Sequence, residues 1–511
     1  MISTSLKTKI DHIWQTFYNY GVSDPNTIVN QVSVFLLLKY LDSKQTAQER
    51  RAAALGLPLE DRDLVYKAGN YVDEAEGINI PYEKLRWRTF KNMSSEEMLR
   101  TMRDCVYPFI TKLNSKEEGP FAKLMGDITL SITKPSLLVQ IIDCLDDHEI
   151  DVNSDDTNIG EMYEHILTTA KISGQYMTPR HIIKLMVEMV DPKLGQRIAD
   201  PACGTGGFLI GAAQHIMENQ AEEMLDSRKR KFFSESAFLG RDTDTTMARI
   251  SAMNMMLHGV KNPDIDFNSL LDKGEADRYY NSFDTILANP PFSGSLPYED
   301  VDGKIIASVK TKATELLFIA LYLKLLKVGG YCASVVPEGV LFRNNSAYAT
   351  IHKELIDKQR LIAIVSLPAG LFVRSGKTST SGVKTSFIVF QKADYRRPPE
   401  GNVWFYEMKN DGFSFGTNRT PIEGSQIPDC LARYKNLEAE AGRTRKDCSF
   451  LVPYSEIREH GYSLDIKDYR ETEHVTVDYR PKEEILADIE NSLEEETALL
   501  AELREMLGVE E

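Results

Sequence analysis

The chain has 511 residues, 42% hydrophobic and 27% charged, which excludes a disordered or fibrous chain and suggests about three globular domains. Its net charge of -16, with 60 basic against 76 acidic residues, argues against strong unaided binding to nucleic acid. No apolar run approaches the roughly 20 residues of a membrane span, and the six cysteines form no C-x-x-C pair, so neither a membrane segment, a disulfide scaffold nor a structural zinc site is expected.

The first residues, MISTSLKTKIDHIWQTF, lack an apolar signal region, so secretion is not expected and a reduced, cytoplasmic setting is. Residues 1–152 read as a helical domain. Asp24-Pro25 is an N-cap with proline at the first helical position, opening a periodic run through Ile28, Val29, Val32, Phe35, Leu36, Lys39 and Tyr40. A second helix is expected from Ser95 to Thr111, behind the capping signal Ser-Ser-Glu-Glu. A third contains Leu137, Val139, Ile141 and Ile142.

The polar stretch DVNSDDT, 151–157, marks a boundary. Over 153–400 strands alternate with helices, which predicts a parallel sheet covered on both faces. The expected strands are Arg197–Asp200, Ala237–Asp242, Asp264–Phe267, Phe283–Asn289, Tyr331–Pro337, Leu361–Leu367 and Thr385–Gln391. The link between the last two is too short for a crossover helix, so they should pair antiparallel. Residues 401–480 are mixed, with a strand around Trp404–Tyr406. From 481 to 511 one helix pattern carries Leu486, Ile489, Leu493, Glu496, Leu500, Leu503 and Leu507 at alternating spacings of three and four, an a/d seam with one polar position. Residues 482–511 hold 11 acids and 2 bases. Such a helix packs on its own chain or docks a partner.

Four motifs carry chemistry. Asp200-Pro201-Ala202-Cys203-Gly204-Thr205-Gly206-Gly207-Phe208 joins a strand to a helix. A plain tight turn or a dinucleotide site would fit, but Leu209 stands where G-x-G-x-x-G needs its third glycine, and an acid at the strand end suits a cationic ligand such as S-adenosylmethionine. Asp242, at the next strand end, can accept both ribose hydroxyl hydrogen bonds, although an acid there is often only a helix N-cap, the role open to Asp244. In Asn289-Pro290-Pro291-Phe292, the amide oxygen of Asn289 and the Pro290 carbonyl form a fixed pair of acceptors beside a flat ring, suited to a planar amino group, although N-P-P can also simply end a strand. Gly174-Gln175-Tyr176-Met177-Thr178-Pro179-Arg180 opens a helix beside the sheet and could cover the cofactor.

In this order the motifs resemble those of the γ-class methyltransferases that modify the adenine amino group in DNA. More narrowly, the chain resembles the modification subunits of type I restriction–modification systems over nearly its full length, including the string Val335–Phe342. The resemblance implies a Rossmann-like class I methyltransferase sheet with an antiparallel last strand, preceded by an all-α domain and followed by a coiled-coil-like helix. It implies that Gln175, Tyr176, Met177, Thr178, Pro179, Arg180, Asp200, Gly204, Thr205, Gly206, Gly207 and Asp242 line an S-adenosylmethionine site. Asn289, Pro290, Pro291 and Phe292 would hold the target adenine, with no metal required. The family usually carries glutamate where Asp242 stands, and often aspartate where Asn268 stands. Expected partners are double-stranded DNA, a separate specificity subunit holding two copies of this chain through the helix at 485–507, and, as a further candidate, a restriction subunit. Arg228–Lys231 and the loop from Arg374 to Lys384 could touch DNA, or be a solvated surface and a flexible loop. A glutamine-amide protein methyltransferase, a ribosomal RNA adenine methyltransferase and a vestigial assembly scaffold are the rival readings.

Overall fold

The computed structural model describes residues 4–56, 58–59, 64–113, 120–126, 128–146, 165–167, 177–292, 294–371, 384–395, 397–414, 419–471 and 482–507. It forms two compact units, Met1–Tyr469 and Arg470–Glu511.

Helices Thr4–Asn19 and Pro25–Leu55 open the first unit. Asp24 caps the second as expected: its carboxylate accepts from the Thr27 amide at 2.9 Å. Val34 to Leu38 are all fully buried, so this helix runs through its domain rather than over its surface. Arg86 is buried against Asp42 at 2.5 Å and Glu49 at 2.8 Å, and the other Asp42 oxygen accepts from the Arg88 amide at 2.9 Å. The helical stretch from Ser95 to Thr111 widens to a π-turn over Met102–Val106. Pro108 follows at once; it has no N–H to donate and its ring crowds the carbonyl four residues back.

The N-terminal domain is not all-α. Asn70–Asp73 (β1) and Ile78–Pro81 (β2) form an antiparallel hairpin whose turn is held by Asp73, which accepts from the amides of Ala75 and Glu76. Each strand has four residues and most are at least partly exposed, so the hairpin leaves no apolar alternation to read.

The remaining strands form one nine-stranded sheet: β3 (Ile198–Asp200), β4 (Phe238–Arg241), β5 (Asp264–Asp266), β6 (Phe283–Ala288), β7 (Leu326–Pro337), β8 (Arg360–Ser366), β9 (Thr385–Gln391), β10 (Asn402–Glu407) and β11 (Ser449–Pro453). Their spatial order is β11-β10-β8-β9-β7-β6-β3-β4-β5. Strand β9 is antiparallel to both β7 and β8, as the short link requires. Strands β10 and β11 extend this same sheet beyond β8. Alternate residues feed two cores: Ile198 and Leu287 face the one containing helices Arg180–Val190, Gly207–Asn219 and Thr245–Leu257, whereas Ala199 and Ile286 face helices Thr314–Leu325 and Ser346–Asp357. The N-terminal domain shares the first core. Arg249, on helix 245–257, donates to the Leu124 carbonyl at 2.8 Å, and Lys123 reaches Asp266 at 3.0 Å.

In the second unit, helix Lys482–Leu507 presents Leu486, Ile489, Leu493, Leu500 and Leu503, each at least half exposed.

Candidate active site

Strand order reverses between β3 and β6, and ligands of open parallel sheets bind at the carboxyl ends beside such a switch point. Here β6, β3 and β4 lie side by side in parallel, with Ala199 opposite Ile286 and Asp200 opposite Gly240. Asn289, the turn from Asp200 to Gly207, and Asp242 therefore share one edge of the sheet.

The glycine turn takes its shape from Gly204 (φ 50°) and Gly206 (φ 83°), both left-handed, with Gly206 capping helix 207–219. Helix 180–190 lies flat on that helix. A Cβ on Gly211 would meet Ile183 Cγ2 at 2.7 Å, and one on Gly207 would meet Ile183 Cδ1 at 3.0 Å. This close approach brings the preceding motif over the turn. Met177 Sδ lies 4.0 Å from Thr205 Oγ1, and Arg180 donates to the Gly207 carbonyl at 3.4 Å. Gln175 and Tyr176 lie outside the described residues, as do the boundary at 151–157 and 374–383 of the proposed DNA-closing loop.

Two acids converge on the turn. Asp200 is 1% exposed and accepts from the Ala202 amide at 3.1 Å. Burial pushes its carboxyl up to about 8, and the negative charge of Asp242 adds to the rise. Asp242 accepts from the Gly204 amide (3.0 Å) through one oxygen and the Asp244 amide (2.8 Å) through the other; burial raises its pKa as well. The Thr243 amide also bonds to this carboxylate, which as a whole offers about four acceptor sites. A site built from two buried carboxyls favours a ligand that brings positive charge and hydroxyls.

Asn289 supplies the clearest geometry. Its Nδ2 donates to Thr178 Oγ1 at 3.0 Å, while its Oδ1 is buried and has no hydrogen-bond partner among the described residues. Pro290 is buried, and Phe292 packs partly buried against the core. Behind the loop, Thr314 Oγ1 donates to the Pro291 carbonyl at 3.3 Å and the Thr314 amide to Gly294 at 3.1 Å. Asn268 donates to Glu275 at 2.5 Å through its nitrogen, leaving its oxygen as a buried acceptor.

One supporting residue lies outside the four motifs. Asn254 is fully buried and donates to the Thr205 carbonyl at 3.0 Å, bracing the glycine turn from below. Ser251, Asn254 and His258 form a polar stripe at helical spacing on a segment otherwise rich in methionine, and that stripe was the available signal. His258 Nδ1 contacts the Asn254 carbonyl at 2.8 Å, and burial pushes the ring down to about 4, so it is a neutral packing residue. Burial raises the Cys203 thiol well above its usual range, which leaves no thiolate nucleophile there. In the basic run, Lys229 is paired with Glu223 (2.6 Å) and Lys231 with Glu235 (3.9 Å).

The family model described as N-6 DNA Methylase matches residues 154–478, and the HsdM N-terminal domain model matches residues 6–145. The chain belongs to the N-6 DNA methylase family. It is an adenine-specific DNA methyltransferase of the type I modification-subunit kind. The methylase is similar to the EcoEI methylase subunit of Escherichia coli, 27% identical over 96% of this chain and 94% of that one. It is also similar to the StySPI methylase subunit of Salmonella potsdam, 29% identical over 73% and 72%. Its fold matches a solved type I methyltransferase subunit from Streptococcus thermophilus with a TM-score of 0.66 at 20% identity, covering 92% of this methylase and 100% of that chain. Among the described residues, no helix is long and apolar enough to cross a membrane.

Proposed function

We propose that this methylase binds S-adenosylmethionine between the glycine turn, Asp200 and Asp242, and presents an extrahelical adenine to it from Asn289-Pro290-Pro291-Phe292. The supporting observation is the Asn289 side chain. Thr178 takes its nitrogen, so its buried oxygen is fixed as an acceptor, without a hydrogen-bond partner among the described residues. A buried acceptor left unpaired is costly, and an amino group entering the pocket satisfies it.

The donor residues fit the cofactor. The carboxyls of Asp200 and Asp242 suit its ammonium and ribose hydroxyls, and the left-handed glycines let its main body approach the backbone. When bound, S-adenosylmethionine supplies an electrophilic methyl on a sulfonium centre. The chain's own residues do the rest. The adenine leaves the stack because its N6 is unreachable inside the duplex. Phe292 stacks on the extruded ring, a contact of about 1–3 kcal/mol. Asn289 Oδ1 and the Pro290 carbonyl accept the two N6 hydrogens. That turns the nitrogen lone pair out of ring conjugation toward the incoming methyl and stabilises the positive charge that develops on nitrogen. Holding both reactants along one sheet edge contributes the positioning term.

Sequence reading belongs to a separate specificity subunit, around which two copies of this chain close on the duplex; a restriction subunit is a further partner of the assembly. The acidic seam helix 482–507 docks that specificity subunit, since a lone helix with an exposed leucine stripe needs a second surface. The deciding experiment compares the assembled methylase with its Asn289→Ala variant, using tritiated S-adenosylmethionine and DNA. Methyl transfer should fall at least about a hundredfold while cofactor affinity stays within about twofold. Loss of both together would sink this division of roles, and label appearing in protein or RNA instead of DNA would favour the rival substrates.

A further inference from the structure

His181 directly follows the Met177–Arg180 motif and begins the turn that launches helix 180–190. It is tied to a part of the chain far away in sequence. Its Nε2 lies 2.8 Å from Asp411 Oδ2, and its ring stacks on Phe413 with centroids 4.6 Å apart and planes 20° apart. Asp411 is 2% exposed, and its other oxygen accepts from Arg419 at 2.5 Å. Burial would raise this carboxyl, but the bonds from His181 and Arg419 outweigh it and hold it down at about 2. It is therefore a carboxylate, so His181 Nε2 carries the proton and donates.

The loop that supplies Asp411 is itself anchored. It leaves β10 with the Met408 amide bonded to the Ser366 carbonyl at 2.9 Å, and it closes on itself where Ile422 donates to Gly412 at 2.8 Å. Arg419 also donates to the Ser414 carbonyl at 3.1 Å. Farther along helix 180–190, Lys435 reaches Glu188 at 3.7 Å. Thr178, which holds the Asn289 amide, stands three residues before His181. A path of direct contacts and the short segment Thr178–His181 thus runs from the loop after β10 to the acceptor oxygen.

We infer that His181 and Asp411 are positioning residues for methyl transfer: their bond fixes the start of helix 180–190, so that Thr178 keeps the Asn289 oxygen turned to the target amine. The inference rests on the assignment of Asn289 as the amine acceptor. It places a determinant of the reaction in the segment after β10, outside the four motifs.

The test uses the full chain assembled with its specificity subunit, tritiated S-adenosylmethionine, and DNA carrying the site the assembly recognises. Asp411→Ala and His181→Ala should each lower kcat about three- to tenfold, no more than loss of the Thr178 contact itself, while KM for the cofactor changes less than about threefold. His181→Gln, which keeps a donor at similar reach, should recover most of the rate. In a Thr178→Val background, Asp411→Ala should cost little more, because the path is already cut. A lower Tm with unchanged kcat would reduce the cluster to a structural role and overturn the inference. So would losses in Asp411→Ala and Thr178→Val that simply multiply. If Asp411→Ala fails to fold, the His181→Ala and His181→Gln pair decides alone, since His181 is partly exposed and tolerates truncation better. An Asn289→Ala chain that keeps full activity would instead sink the acceptor reading itself, whatever the Asp411 variants do.

Discussion

Thr178 accepts the hydrogen bond that Asn289 Nδ2 donates, at 3.0 Å, and this contact decides which end of the amide faces the pocket. Nitrogen and oxygen differ little in size, so only such a partner prevents the amide from turning over. Thr178→Val keeps the shape and removes the acceptor. The net value of one such bond is about 1 kcal/mol, so kcat should drop about five- to tenfold, with Thr178→Ser close to wild type. Steady-state methyl transfer at saturating substrates checks this; equal rates for Val and Ser would show that the amide is held by something else.

The raised carboxyl of Asp200 predicts a pH signature. Between about 4 and 8 the folded chain keeps a proton that the unfolded chain has lost, so this residue makes the ligand-free protein less stable as pH rises through that window. Asp200→Asn removes the effect. The Tm of the variant should gain on wild type from about pH 5 to pH 8. Affinity for S-adenosylmethionine should tighten with pH in wild type and be weak and pH-independent in the variant. Parallel pH curves for the two proteins would refute the assignment.

Gly240 is needed for close packing under the site. A Cβ there would meet Ile265 Cδ1 at 2.5 Å, and both Cys203 Sγ and Leu209 Cδ1 at 3.0 Å. Gly240→Ala should destabilise the chain by about 1–3 kcal/mol in urea titration, as overpacking does, and disturb the turn through Cys203.

In the N-terminal domain, Asp42→Ala leaves Arg86 buried without its nearest carboxylate and the Arg88 amide without its acceptor. Breaking a buried pair on one side costs about 3–5 kcal/mol. Denaturant midpoints should show that loss, and replacing both Asp42 and Arg86 by apolar residues should recover part of it.

Deleting residues 482–511 should abolish co-purification with the specificity subunit and leave the Tm of the remaining chain unchanged. Assembly at wild-type yield would remove the helix from the interface.

Much of the α/β domain was legible because its strands are largely buried apolar runs, most of them separated by helix-like segments. Thr385–Gln391 is a strand over the residues anticipated for it, and the antiparallel pairing of β8 with β9 followed from the length of their link. Strand β7 starts earlier, at Leu326, because Val328 and Gly329 are exposed and leave no apolar alternation to read. The β1–β2 hairpin was hidden for the same reason. In the candidate site, local motifs pointed to the turn, Asp242 and the Asn289 loop, which the fold brings to one edge of the sheet. What they could not show were contacts across the fold: Thr178 and Asn289 are 111 residues apart, His181 and Asp411 are 230 apart, and each pair meets only because helices and loops pack on the finished sheet.

The neighbouring placement of β3 and β6 has a consequence for how such an enzyme can vary. The proposed donor pocket rides on one strand and the proposed acceptor loop on the next, at the roughly 4.8 Å pitch of a hydrogen-bonded ladder. That ladder acts as a ruler between the two reactants. Loops, appended domains and partner subunits can be exchanged to choose a different DNA address, while the gap the methyl must cross stays as constant as the backbone bonds that set it.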